Sequence, residues 1–205
     1  MGAEEEAVGI VRSFGLPVDR PVVLGDSNNL VVWLRPSPVV AKIGRGQCGR
    51  MALELSVVQH LVRSGAPVVG PSDLLPQQVH ENGHSKVTFW RYQPHEGIDA
   101  GGAELAPALA KVHDALQTYA TDLPLFDAEL SEVAALLADR DRAPALAATD
   151  RSTLLSALRR FWAELQALQV DHWTLHGSRH TANALVTGTA PPFRLLRLSR
   201  RHKGS

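Results

Sequence analysis

Two groups of residues in this sequence have the types and spacing that chemistry requires. One is Leu175-His176-Gly177-Ser178-Arg179-His180-Thr181-Ala182-Asn183, which runs straight into Ala184-Leu185-Val186. A His-Gly dipeptide between a short apolar run and a His-x-x-Asn, with a second apolar run behind it, has the form of a catalytic loop held between strands. His172, His176 and His180 also fall four apart, a spacing that on a helix would put three imidazoles on one face as metal ligands. Trp173-Thr174-Leu175 favours strand and Gly177 would break a helix, so the loop reading is preferred to the metal reading. The other group is Lys42, in the apolar run Val39-Val40-Ala41-Lys42-Ile43, and Glu54 in the segment that follows. Such a pair is either an ammonium aimed by a carboxylate or a strand-ending lysine and a solvated helix charge, and taken alone it fits both.

The elements that must position these groups follow from the apolar patterning. Val22-Val23-Leu24, Leu30-Val31-Val32-Trp33-Leu34 and Val39 to Ile43 read as strands, joined by Gly25-Asp26-Ser27-Asn28-Asn29 and by Arg35-Pro36-Ser37-Pro38. Met51, Leu55, Val58 and Leu61 then recur at helical spacing, stopped by Ser64-Gly65-Ala66-Pro67. Lys86 to Tyr92 is again strand-like, and Pro94 to Gly102 reads as a linker or hinge. Beyond it the texture is helical. Leu105, Leu109, Val112, Leu116 and Tyr119 trace one face, Leu130, Ala134 and Leu137 a second, and Leu154, Leu158, Phe161, Leu165 and Leu168 a third. The order is a strand-rich front with one inserted helix, a hinge, and a helix-rich back that carries the His-Gly loop.

In that order, and in the motif His176-Gly177-Ser178-Arg179-His180-Thr181-Ala182-Asn183, the chain resembles the aminoglycoside phosphotransferases. These are small-molecule kinases related to the protein kinases, and their loop reads His-Gly-Asp-x-His-x-x-Asn. The resemblance covers nearly the whole chain, from Lys42 and Glu54 through the hinge near Tyr92 and the helix with His113 to Asn183. It implies an α+β, protein-kinase-like two-lobed fold. Residues 1–93 would be a nucleotide-binding lobe, a small antiparallel sheet with one helix. Residues 94–205 would be a mainly helical lobe with the catalytic-type loop, C-terminally incomplete. The implied activity is ATP-dependent O-phosphotransfer to a small hydroxylated molecule, with ATP and Mg²⁺ as cofactors. Carried over position by position, Lys42 contacts the nucleotide phosphates and Glu54 fixes it. Ser27 and Asn28 lie in the turn over the phosphates, the main chain of Arg91 and Tyr92 meets the adenine, and Asn183 is a magnesium ligand. His176 packs and hydrogen-bonds within the loop.

The motif is broken at two catalytic positions. Ser178 stands where the family has its base Asp, and a neutral hydroxyl does not accept a proton as a carboxylate does. Past the Asn the family runs through a hairpin and an apolar pair to a second, metal-holding Asp. Here Phe193-Arg194-Leu195-Leu196 leads into Arg197, a cation that repels Mg²⁺. A truncated, frameshifted or degenerate member of the family is therefore expected, impaired in turnover. The alternative is a non-catalytic module of pseudokinase type, binding nucleotide or a partner through Lys42, Glu54 and Asn183.

Composition narrows the partners. Lys+Arg and Asp+Glu balance at 21 each, which gives no bulk attraction to nucleic acid or anionic membrane. The basic tail from Arg194 to Lys203 has no interleaved aromatic residues of the kind that stack on bases. Cys48 is the only cysteine, so no intrachain disulfide forms and a reducing cytoplasm is the expected compartment. Met1-Gly2-Ala3-Glu4-Glu5-Glu6 is not a signal peptide, and no apolar run approaches the roughly 18 residues of a membrane span. An incomplete helical lobe would leave part of the Leu154, Leu158, Phe161, Leu165 stripe uncovered, and self-association into a homo-oligomer is expected from it.

Overall fold

In the computed structural model the described residues are 2–27, 29–44, 48–82, 85–95, 102–119, 126–167, 184–187 and 193–195. They fall into two compact units. The first holds the described residues up to 119 together with 184–187 and 193–195, and the second holds 126–167.

The first unit is built on a five-stranded antiparallel sheet of β1 (Val18–Asp26), β2 (Asn29–Pro36), β3 (Val39–Gly44), β4 (His80–Asn82) and β5 (Ser85–Arg91), in the order β1-β2-β3-β5-β4. β1 lies at an edge, where Pro21 costs no ladder hydrogen bond, and bulges near Val18 and Val23 twist it. Period-two alternation sends Val39, Ala41 and Ile43 of β3 to one face with Val32 and Leu34 of β2 and Val87 and Phe89 of β5. Each such buried side chain contributes about 1.5–3 kcal/mol. Helix α1 (Ala3–Ser13) closes this core with Ala7 and Val11.

The start of the chain, acidic in sequence, forms helix α1. Glu4, Glu5 and Glu6 fill the helix's first turn, where negative charge suits the macrodipole, and the Gly2 amide donates to Glu5 Oε2 at 2.9 Å. The helix ends as Gly15 turns to φ 77°, with Gly15 N–H donating to Arg12 O and Leu16 N–H to Val11 O. Helix α2 (Cys48–Arg63) ends the same way. Gly65 lies at φ 71° and its N–H donates to Val62 O, while Ala66 N–H reaches Leu61 O. The Ser64-Gly65 stop read from the sequence is this motif.

Helix α3 (Gly102–Gln117) buries Leu105, Val112 and Leu116 and packs on α2 and on the short hairpin of β6 (Ala184–Val186) and β7 (Phe193–Leu195). In the second unit α4 (Phe126–Ala138) packs on α5 (Ala148–Ala167). The covered face of α5 runs through Arg151, Leu155, Leu158, Trp162 and Leu165. The expected stripe is thus rotated, with Leu154 and Phe161 at its margin, 45% and 47% exposed. Arg151 begins this covered face. Its buried guanidinium donates to Leu137 O, Asp139 O, Ala143 O and Leu146 O, which caps the end of α4 and the turn after it. No described helix is long and apolar enough to cross a membrane.

Candidate functional site

The sheet face opposite α1 carries the residues of interest. Register places Val31, Lys42 and Thr88 in one row across β2, β3 and β5, and Trp33, Val40 and Trp90 in the next. Helix α2 comes down on this face. Met51 packs against Gly44 so closely that a Cβ there would run into the thioether, and Glu54 follows one turn later on the same side of the helix.

Lys42 and Glu54 are thereby brought together. Lys42 Nζ donates to Glu54 Oε1 at 2.5 Å and to Oε2 as well, with the side chains 15% and 13% exposed. A pair this enclosed holds the ammonium in one place, which a solvated lysine on a flexible stem would not be. Its remaining N–H has no partner among the described residues and is available to an anion.

The turn between β1 and β2 is closed at Ser27, whose amide donates to Asn29 O at 3.3 Å. Asn28 lies outside the described residues, as do His176, Ser178, Asn183 and Arg197 and the histidines His172 and His180. At the hinge end, the amide of Tyr92 donates to Pro38 O at 2.9 Å and that of Arg91 to Gly70 O at 3.1 Å. Both amides are therefore paired within the protein. The Arg91 guanidinium is turned to Asp73 Oδ2 at 2.5 Å.

Several contacts at the site have no signature in the sequence. The Tyr92 ring stacks on Trp33 with centroids 3.7 Å apart and planes 6° from parallel, and the Arg35 guanidinium lies 4.7 Å from the Trp33 centroid. The Trp90 indole N–H donates to buried Thr88 Oγ1 at 2.9 Å. Strand alternation alone would have put Trp33 and Trp90 on the Lys42 face. The Trp33–Tyr92 contact joins residues far apart in the chain, and only the strand order brings them together. Among the described residues no group of three His, Cys, Asp or Glu is arranged to hold a metal ion.

No family model matches the sequence, and no curated protein matches it. Solved structures do match its fold. A spectinomycin phosphotransferase in complex with ADP and spectinomycin is 14% identical with a TM-score of 0.62, over 97% of this chain and 69% of that one. The GDP complex of aminoglycoside 2'-phosphotransferase-IIIa is 12% identical with a TM-score of 0.65, over 100% of this chain and 75% of the other. A choline/ethanolamine kinase family protein from Mesorhizobium loti is 16% identical with a TM-score of 0.59, over 95% and 64%. With its antiparallel sheet, the α2 helix inserted after β3 and the helices that follow, this chain has the kinase-like α+β fold of the aminoglycoside phosphotransferases.

Proposed function

We propose that the chain is an ATP-dependent O-phosphotransferase of the aminoglycoside phosphotransferase type, acting on a small hydroxylated molecule and impaired in this form. The observation that carries the reading is the enclosed Lys42–Glu54 pair between helix α2 and a kinase-like sheet. Residues 1–93 are the nucleotide-binding part and 94–205 carry the catalytic-type loop. Solved neighbours of the same fold hold ADP or GDP, and spectinomycin or kanamycin, which supports a purine nucleotide and a hydroxylated acceptor. Balanced charge and a single cysteine fit a cytoplasmic protein without a nucleic-acid or membrane partner.

In the transfer, the acceptor oxygen bonds to the γ-phosphorus, the bond to the β–γ bridging oxygen breaks, and the hydroxyl proton must leave to a base. Lys42 fits the phosphate part of this task. Ser178 offers no base. Magnesium is the poor fit, since Asn183 is one neutral donor and Arg197 is a cation in the carboxylate position. The same features favour a second reading, a pseudokinase module that binds nucleotide through Lys42 and Glu54 without turnover.

The test is ATP consumption with Mg²⁺ and spectinomycin, kanamycin or choline as acceptor, for the native chain, Ser178→Asp, and Ser178→Asp with Arg197→Asp. The expected result is negligible turnover in the native chain, little gain from the single change, and increased metal-dependent nucleotide binding in the double variant. Robust magnesium-dependent phosphorylation by the native chain would show that Ser178 and Arg197 are assigned to the wrong slots.

A further inference from the structure

Helix α2 is held from its other side by a group of polar contacts that the phosphoryl-transfer reading does not use. Ser56 Oγ and Tyr119 Oη lie 3.0 Å apart. His60 Nε2 lies 2.9 Å from Ala115 O and 3.2 Å from Thr118 Oγ1, and its ring meets the Tyr119 ring edge-on at 5.2 Å. The Ala115 carbonyl only accepts, so Nε2 carries the proton and joins the Thr118 amide and hydroxyl as a donor to that carbonyl at the end of α3. Tyr119 is buried. At 3.6 residues per turn Ser56 and His60 share a face, and Glu54 lies about 160° around the helix from Ser56. The polar contacts to α3 therefore act on the back of α2, while Met51 and Glu54 meet the sheet in front.

Next to Ala115 on α3, Leu116 is buried and apolar. Apolar contact is non-directional and resists sliding or rotation of a helix only weakly, whereas paired hydrogen bonds fix its register. The Lys42–Glu54 contact has little tolerance, because a charge-assisted hydrogen bond is lost within about an ångström of displacement. We propose that Ser56, His60 and Tyr119 form a latch between α2 and the end of α3 that sets the position of Glu54 and so aims Lys42. They are positioning residues. Their consequence for phosphate binding rests on the reading of Lys42 given above, but the latch itself is tested without nucleotide.

The experiment measures the acylation rate of the Lys42 amine in the intact chain by mass spectrometry, with Lys86 and Lys111 as internal references and a thermal melt for each variant. Tyr119→Phe and Ser56→Ala each remove one hydroxyl. His60→Ala removes the ring and His60→Gln returns an N–H at similar reach. Loss of the latch should raise Lys42 reactivity about tenfold against the references, and His60→Gln should restore protection. Glu54→Gln should raise it by itself, and Tyr119→Phe should add nothing further in that background. A latch that merely stabilises would lower the melting temperature and leave the Lys42 ratio unchanged, and that result overturns the proposal. Additive effects of Tyr119→Phe and Glu54→Gln overturn it too. Should His60→Ala fail to fold, the two hydroxyl variants decide the question. ATP titration of the same variants reads the phosphotransferase assignment separately, so protected Lys42 without nucleotide binding would fault that assignment and leave the latch standing.

Discussion

Glu54→Gln removes the negative charge from α2 and leaves the side chain's size nearly unchanged, so it isolates what the carboxylate contributes. In the native pair Lys42 Nζ donates to both Glu54 oxygens, with 15% and 13% of the two side chains exposed. Breaking a fully buried pair costs about 3–5 kcal/mol, and a hydrogen bond to a charged group contributes about 1.5–3 kcal/mol. The glutamine carbonyl still accepts one bond and the remaining exposure lets water reach the ammonium, which brings the expected loss to about 2 kcal/mol. For a chain of this size that is a fall of roughly 4–8 °C in melting temperature. Urea unfolding of the native chain, Glu54→Gln, Lys42→Met and the double variant gives the coupling directly. In the Lys42→Met background the glutamine should cost almost nothing, which leaves a coupling near the full 2 kcal/mol, roughly. Additivity within about 0.5 kcal/mol would refute the argument, because it would mean that the two groups do not depend on each other.

Arg151→Ala should destabilise the α4–α5 unit by about 2–3 kcal/mol, seen as faster amide exchange across 126–167. Arg151→Lys should not rescue it, since only the guanidinium fork reaches several carbonyls, and full rescue by lysine would contradict that. Gly44→Ala should cost about 1–3 kcal/mol by displacing Met51, and pairing it with Met51→Ala should remove the clash and make the combined loss less than additive. Leu154→Gln with Phe161→Gln should lower the sedimenting mass at high concentration, because these exposed side chains are the expected contact in self-association. A native chain that sediments as a monomer throughout would show that they are not.

Much of the sheet unit was legible because its signals are local. Val39 to Ile43 sends alternate side chains to the two faces of the sheet, the helical spacing from Met51 to Leu61 holds across α2, and Gly65 stops it for a steric reason that any sequence displays. Lys42 and Glu54 could be paired in advance, since one strand and one helix adjacent in the chain separate them. Helix α1 was not read, although Gly2, Glu5 and the apolar pair Ala7 and Val11 carry a cap and a helical period. The Tyr92 stack on Trp33 and the His60 contact with Ala115 depend on which strands and helices become neighbours, and side-chain types in a single sequence do not encode that. Nor did the hinge residues announce that their amides would be taken by Pro38 and Gly70, because those acceptors come from a separate turn and a separate loop. On α5 Leu158 and Leu165 lie on the covered face as the period predicts, while Leu155 and Trp162 take the places expected for Leu154 and Phe161.

The central claim is that Lys42, aimed by Glu54, binds nucleotide phosphate, and calorimetric titration of ATP into the native chain and into Lys42→Met tests it most directly. Melting curves for both proteins establish that each is folded at the titration temperature. The account predicts saturable binding by the native chain that Lys42→Met abolishes or weakens at least about tenfold, the loss expected for a charged hydrogen bond to phosphate. Equal affinity in the two proteins, or no saturable binding by the native chain, would contradict it.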